Sequence, residues 1–250
     1  MVNNTQAVIL AAGRGLRLQS LAKEIPKCLI EIGKKTLLER SLDNLAESGI
    51  KEAVIMTGFK DKSVRKKIGK NYKGIKIIYI KNKEYQKTGS MSLFMAKNLI
   101  KGDILLLECD LLYEKRAINI LLESGRKNVI LAAGFLDSGD DVYIRVDKNN
   151  KLIDLGKDIS KKEKAIGALV GISKFSKSFL KRYCEFAEND YSKGRKKRHY
   201  EEVVLDASGQ GEPVFVEMRG DLNWIEIDNE KDFKRAKKEI YPRIKNYEKN

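Results

Sequence analysis

Residues 10–18 of the sequence read LAAGRGLRL, and Pro26-Lys27 follows shortly after. Glycines in such a loop present backbone N–H groups to phosphate oxygens, and the small Ala11 and Ala12 leave room for a base or ribose against the chain. Leu10, Ala11, Ala12, Gly13, Arg14, Gly15, Arg17 and Lys27 are therefore candidates for binding a nucleotide, with Arg17 and Lys27 adding positive charge. The loop departs from a dinucleotide fingerprint, because Leu18 stands where a third glycine is needed. It is not a P-loop either: Gly33-Lys34 has no glycine five residues upstream.

A second set of residues is acidic. Asp110 lies in LLLECDLLYE, and Glu226 and Asp228 lie in LNWIEID. Magnesium takes one or two carboxylates and keeps its other positions for water and phosphate oxygens, so two acids from distant strands can clamp one ion over a triphosphate. A hydrolase-type triad needs a histidine base, and the single histidine, His199, falls in a basic segment where it reads as a surface residue. Lys157, in LGK, is a mobile point charge suited to an acceptor phosphate or to an α-phosphate. Asp140 and Asp141 in SGDD, with Glu201 and Glu202 in HYEE, are open to pairing with an acceptor ammonium or to plain solvation. Gly89 and Ser90, in TGSM, are placed to touch ribose or base; Thr88 or Ser90 serves equally well as a helix N-cap.

These residues need a frame that brings them together. The apolar run 7–12, bounded by Gly13, suits a fully buried strand of a parallel sheet. Leu38, Leu42 and Leu45 recur at helical spacing within 36–48, and Gly49 follows at a left-handed C-cap position. Strands at 53–57, 75–80 and 103–109 then alternate with helices at 61–69 and 90–99, the last carrying the core stripe Leu93, Phe94, Ala96, Leu99 and Ile100. That alternation predicts a doubly wound α/β architecture, a mostly parallel Rossmann-like sheet with helices on both faces. Ligands of such sheets sit at the carboxyl ends of strands, where the glycine loop and Asp110 converge. Residues 141–147 alternate apolar and polar, and 152–157 pairs with them as a hairpin, giving a small antiparallel lid within 136–166. Strands at 168–173 and 214–218 rejoin the sheet, and a helix over 229–240 closes it. With no repeat and no proline-rich linker, residues 1–250 read as a single domain.

Composition sets the class. The 250 residues are 42% hydrophobic and 34% charged, an ordinary globular balance. Three dispersed cysteines, Cys28, Cys109 and Cys184, fit a reducing cytoplasm, and no apolar segment predicts export or a membrane anchor. The net charge of +15 favours a polyanionic ligand, and a triphosphate is one. Only KGRKKR, at 193–198, forms a dense basic run; it reads as a solvated loop rather than a nucleic-acid contact.

LAAGRGLRL with the downstream PK resembles the nucleotidyltransferase superfamily that activates sugar phosphates and alcohol phosphates. That resemblance implies a loop wrapped around a triphosphate, with Arg17 at the outer phosphates and Lys27 at the α-phosphate. It also implies a magnesium ion held by Asp110, Glu226 and Asp228, with Asp110 beside the nucleotide. A wider resemblance follows the order LAAGRG, PK, TGSMSLF, ECDLLYE, SGDDVY, LGK, GALVGISKFS, HYEE and WIEID through nearly the whole chain. It is similar to the CTP-using branch that includes phosphocholine and 2-aminoethylphosphonate cytidylyltransferases, and nearest to the phosphonate members. The implied reaction is attack of an acceptor oxygen on the α-phosphorus of CTP, releasing pyrophosphate without a covalent enzyme intermediate. With a single tryptophan, Trp224, the chain is poorly supplied for a quaternary-ammonium cage, which favours a primary amine or an uncharged phosphonate. Two other readings remain at this point: a sugar-phosphate or inositol-phosphate enzyme using another NTP, and a non-catalytic nucleotide sensor. Spacing alone fixes neither base nor acceptor nor oligomeric state.

Overall fold

A computed structural model describes residues 5–15, 17–18, 25–85, 90–136, 138–195 and 197–248. The first strand, β1 (Gln6–Ala11), leads into the glycine loop. A small ribbon, β2 (Glu31–Ile32) and β3 (Lys35–Thr36), precedes α1 (Leu37–Glu47). The start of α1 is fixed by a capping box: Glu39 N–H donates to the Thr36 hydroxyl, and the Glu39 carboxylate accepts from Thr36 N–H. Next come β4 (Glu52–Thr57), α2 (Asp61–Ile68), β5 (Asn71–Tyr72), β6 (Ile75–Lys81) and α3 (Met91–Met95). They are followed by β7 (Ile104–Glu108), β8 (Leu111–Tyr113), α4 (Arg116–Glu123), β9 (Val129–Ala133), β10 (Tyr143–Val146) and β11 (Leu152–Gly156). The last elements are β12 (Gly167–Phe175), α5 (Lys177–Ser192), α6 (Tyr200–Gly209), β13 (Phe215–Met218), β14 (Trp224–Glu226), α7 (Glu230–Arg235) and α8 (Tyr241–Tyr247).

The strands β6-β4-β1-β7 are mutually parallel. Beyond them β12 runs antiparallel to both β7 and β9, and β13 pairs parallel with β9. This is the doubly wound, mostly parallel sheet. Along its central strands alternate side chains enter opposite layers. Ala7, Ile9, Ala53, Ile55, Leu105 and Leu107 pack with Leu38, Leu42 and Leu45 of α1 and Ile118 and Leu121 of α4. Val8, Val54, Met56, Ile104 and Leu106 pack with Phe179, Leu180 and Tyr183 of α5 and Val203 and Val204 of α6. Each fully buried Leu, Ile or Val contributes roughly 1.5–3 kcal/mol, which explains why these strands read as continuous apolar runs. A third cluster, with Leu18, Ile30, Leu112, Ile225, Ile240 and Ile244, seats the C-terminal helices beneath the glycine loop.

The lid hairpin β10–β11 forms with a bulge between Arg145 and Val146, and β10 hydrogen-bonds to the start of β12, so the hairpin extends the sheet. Three expectations need correction. The helix foreseen at 90–99 is helical only over Met91–Met95, and the residues after it form turns whose apolar side chains still pack inward. The strand foreseen from 141 begins at Tyr143, because the buried Asp141 takes the Leu136 N–H instead. The helix foreseen at 229–240 passes through a π-helical stretch, Ala236–Ile240, and continues as α8.

Candidate active site

The glycine loop follows β1 at the carboxyl end of the parallel strands. Gly15 has φ +68°, a conformation open to glycine, and an added Cβ there would lie 3.3 Å from the Lys27 side chain. Gly13, Arg14, Gly15, Arg17, Lys27, Tyr85, Asp110 and Asp228 line a cleft of about 590 Å³. Arg14 lies over the Phe59 ring, 5.1 Å from its centroid. Of the other candidates here, Ala11 is buried in the core, Ala12 accepts the Phe59 N–H through its carbonyl, and Leu10 faces a neighbouring pocket.

That neighbouring pocket, about 270 Å³, is lined in part by Glu108, Lys157, Gly171, His199, Tyr200, Glu201 and Glu226. Arg17, Lys27, Asp110 and Asp228 line both cavities. They form the wall, and the only polar junction, that the two cavities have in common among the described residues.

Two local features build that wall. After β7 the chain turns through Cys109 and Asp110 into β8, and β14 pairs antiparallel with β8, setting Glu226 opposite Leu111. Ile227 N–H donates to the Asp110 carbonyl at 3.0 Å, fixing the two acidic segments against each other. Asp228 N–H in turn donates to Asp232 Oδ2, within the capping box that opens α7. Lys27 enters from a 3₁₀ turn after Pro26, and its Nζ donates to Asp110 Oδ2 and Asp228 Oδ1, each at 2.5 Å. Burial opposes the Lys27 charge, but Asp110, Asp228 and Glu226 outweigh it and hold the ammonium well above the usual lysine range.

Arg17 Nη2 lies 2.8 Å from Asp140 Oδ2 and 2.9 Å from Asp228 Oδ1. Lys157 Nζ, at the end of the hairpin, donates to Asp140 Oδ1 at 2.7 Å. Burial would raise the Asp140 carboxyl, but Lys157 and Arg17 hold it far below the carboxylate range. Asp140 is thus already paired twice. Asp141 is turned to backbone structure, and Glu202 caps α6 by accepting the His199 N–H at 2.7 Å. Glu201 is the acid of that pair that lines the pocket; it is buried, with its carboxyl raised by burial and His199 Nδ1 4.0 Å away. Ser90 is buried, with its N–H on the Arg198 carbonyl and its own carbonyl accepting from Tyr183 OH. It occupies the N-cap position of α3 without a side-chain cap bond. Thr88 and Gly89 lie outside the described residues. His199 is exposed, as expected, yet stands at the pocket mouth.

Glu108 and Tyr85 escaped the sequence reading, as did Gly171 and Tyr200 beside Glu108. Glu108 ends β7, takes a hydrogen bond from Tyr200 OH at 2.6 Å, and abuts Gly171. Its signal was available: a lone acid closing the otherwise apolar ILLLE at the carboxyl end of the strand, two positions before Asp110. Tyr85 gave no such signal, being one of ten tyrosines with no distinctive spacing.

Carboxylate oxygens of Glu108, Asp110 and Glu226 lie within 4.8 Å of one another, and the buried Oδ1 of Asp110 has no hydrogen-bond partner. Burial together with Asp110 and Glu108 pushes the Glu226 carboxyl up to about 10, and burial with Asp110 and Glu201 pushes Glu108 up to about 8. Acids that repel one another this strongly, around an orphaned oxygen, fit a hard divalent cation. Of the expected trio, Asp110 and Glu226 come together with Glu108 as the third acid, whereas Asp228 lies outside that group and takes Lys27 and Arg17 as its partners.

A model of the nucleotidyl transferase family matches residues 6–135, over half of the 250. The chain belongs to this family. Its glycine loop and the acids that follow its strands lie at the carboxyl end of the parallel sheet described above. It is 28% identical over 239 residues to the CMP-5'-(3-aminopropyl)phosphonate synthase of Streptomyces rubellomurinus, covering 92% of this chain and 38% of that protein. It is 28% identical over 233 residues to the bifunctional IPC transferase and DIPP synthase of Aquifex aeolicus, covering 93% of this chain and 51% of that one. The chain therefore spans 38% and 51% of the length of these two relatives. Against the CTP:phosphoglutamine cytidylyltransferase of Campylobacter jejuni the identity is 26%, over 89% of this chain and 95% of the relative. The inositol-1-phosphate CTP transferase from T. maritima shares the fold, with a TM-score of 0.78 at 20% identity over 96% of both chains. Among the described residues no helix is long and apolar enough to cross a membrane.

Proposed function

We propose that this nucleotidyltransferase moves CMP from CTP to a small phosphonate or phosphate acceptor, 2-aminoethylphosphonate or a near relative, and releases pyrophosphate. The observation that carries this reading is the shared wall of Arg17, Lys27, Asp110 and Asp228 between the glycine-loop cleft and the second pocket. A transfer reaction needs two ligands to meet at one charged centre. CTP takes the larger cleft, with its phosphates on the loop N–H groups, Arg17 and Lys27. The acceptor takes the smaller pocket, with its phosphonate on Lys157 and its ammonium on Glu201. An acceptor oxygen then forms a bond to the α-phosphorus as the bond to the pyrophosphate oxygen breaks. The attacking group is already an anion, so no base is required, and Lys27 balances the charge on the α-phosphate.

Glu108, Asp110 and Glu226, with Asp228 beside them, are the residues that would hold Mg²⁺. When bound, the ion supplies charge neutralisation at the phosphates. Three features support an N–H-bearing acceptor over a quaternary one: Trp224 is buried in the core, the Tyr200 hydroxyl is engaged by Glu108, and Glu201 is an acid that rewards a hydrogen-bond donor. The CTP-using and phosphonate-using relatives support the same choice. We further read residues 1–250 as one domain working in the cytoplasm.

The test is pyrophosphate release with Mg²⁺, each of CTP, UTP, ATP, GTP and dTTP, and a panel of 2-aminoethylphosphonate, 2-hydroxyethylphosphonate, phosphocholine, inositol 1-phosphate and glucose 1-phosphate. Release with CTP and a phosphonate is expected. Release confined to a sugar or inositol phosphate would overturn the acceptor assignment, and tight nucleotide binding with no release from any pair would overturn the transfer reading. Release that survives chelation of divalent ions would remove Mg²⁺ from it.

A further inference from the structure

Asp140 stands apart from the other acids of the site because each of its oxygens holds a cation from a different part of the chain. Oδ2 holds Arg17, from the glycine loop, at 2.8 Å, and Oδ1 holds Lys157, from the end of the hairpin, at 2.7 Å. Arg17 lines the cleft and the pocket alike, and Lys157 lines the pocket. Asp140 itself is absent from both linings; its side chain is 20% exposed, against 58% for Arg17 and 41% for Lys157. The arrangement is asymmetric. A sheltered carboxylate sits behind two more exposed cations, each with hydrogen-bond donors to spare: Lys has three N–H donors and Arg five.

We infer that Asp140 is a positioning residue, a clasp that ties the glycine loop to the lid hairpin and sets Arg17 and Lys157 side by side, one for each substrate's phosphorus group. This inference rests on the proposed transfer reading for its catalytic meaning, though the clasp is a property of the free protein. Long cationic side chains lose much conformational freedom when a phosphate captures them, and a carboxylate that holds them beforehand removes that cost from the reaction. The same carboxylate is a negative charge beside the sites of two anions, so it weakens ground-state binding while it aligns the reacting groups. These opposed effects separate the clasp from general scaffolding. Loss of the Asp140 charge lowers kcat without weakening CTP, whereas loss of scaffold weakens both.

Two measurements on the full chain test this. In the first, hydrogen exchange is followed in the free protein and in Asp140→Asn. The clasp requires faster exchange in the loop after β1 and in β10–β11 together, with β1, β4 and β7 unchanged; no change, or a change spread through the sheet, overturns it. In the second, Asp140→Asn, Lys157→Met and the double variant are compared for kcat and for CTP affinity by calorimetry. Misplacing reacting groups by about 1 Å costs up to about 100-fold, so kcat of Asp140→Asn should fall ~10- to 100-fold while CTP binds as tightly or more so. The double variant should lose less than the product of the two single losses, because Asp140 acts in part through Lys157 while the part carried by Arg17 remains. Retained kcat, CTP affinity that weakens in step with kcat, or additive losses would each overturn the positioning role. A wild-type protein that turns over no substrate pair refutes the transfer reading, and the exchange experiment still decides the clasp.

Discussion

Replacing Lys27 with methionine isolates the centre of the charge arrangement. The change keeps an unbranched side chain one atom shorter and removes the one cation lodged between Asp110 and Asp228. The Lys27 side chain is 9% exposed and that of Asp228 6%, so the pair is buried and solvent screens it little. Removing one partner of a buried pair leaves the other charge uncompensated, which costs about 3–5 kcal/mol. For a protein of this size each kcal/mol moves the melting temperature by about 2–4 °C, so Lys27→Met should melt some 6–20 °C lower in the presence of a chelator. The sign holds at neutral pH. The folded-state value of Lys27 is raised, so its contribution is fully present below the ordinary lysine value of 10.5 and is lost only as pH rises through the folded value. Mg²⁺ should restore more of the lost stability in the variant than it adds to the wild type, because the ion no longer competes with an ammonium for Asp110. Turnover should stay lost, since on the proposed reading Lys27 is the cation that balances the α-phosphate. The assay is thermal unfolding with and without Mg²⁺, alongside pyrophosphate release. A variant that melts at or above the wild-type temperature in chelator would refute the reasoning, because Lys27 would then be a bystander among acids that tolerate one another.

Gly171→Ala should reduce turnover and stability together: the residue has φ +81°, its added Cβ would lie 3.1 Å from the Glu108 carboxyl carbon, and left-handed backbone costs an L-residue about 1–2 kcal/mol; equal activity and melting would refute this. Glu201→Gln should lower kcat/KM for 2-aminoethylphosphonate by ~10- to 100-fold, the value of one charge-assisted hydrogen bond at about 1.5–3 kcal/mol, and leave an acceptor without an ammonium unaffected; equal losses on both acceptors would refute the assignment. Asp43, away from the site, gives a pH test. Burial raises its carboxyl, but Lys35 and Lys73, the latter at 2.7 Å, outweigh that and lower it. Its contribution is therefore present above the unfolded value of 3.8 and fades as pH falls through the folded value. The melting difference between wild type and Asp43→Asn should be constant near neutrality and close up in acid, and a gap that widens in acid would contradict it.

The sequence made some of this architecture visible and hid the rest for physical reasons. Strands β1, β4 and β7 were legible because burial on both faces makes an unbroken apolar run, β6 because its isoleucines lie between turn signals, and α1 because its cap and its leucine spacing agree. The apolar spacing after Ser90 misled, because Ala96, Leu99 and Ile100 pack inward from turns as well as they would from a helix. Lys27, Asp110, Glu226 and Asp228 could be grouped from their motifs. Which acid pairs with which cation could not, since that depends on the β8–β14 register and on the approach of the hairpin. Asp140 illustrates the limit: SGDD offers two adjacent acids, and only the fold sends one to Arg17 and Lys157 and the other to a backbone N–H.

The β8–β14 pairing also bears on how the protein is made. Lys27 and Asp228 are 201 residues apart, and during translation the lysine emerges long before the strand that carries Glu226. Until β14 docks, Lys27 has Asp110 but not Asp228, and Leu112 lacks Ile225 and Ile227 as neighbours in the third apolar cluster. Contacts of such long range form late, because the loop must close before they reward the chain. A nascent chain on the ribosome can thus assemble its parallel strands while its charged centre is still unbalanced. The segment that carries Asp228 thus completes the setting of a side chain 201 residues before it, so the charged centre is balanced only once this long-range pairing has formed.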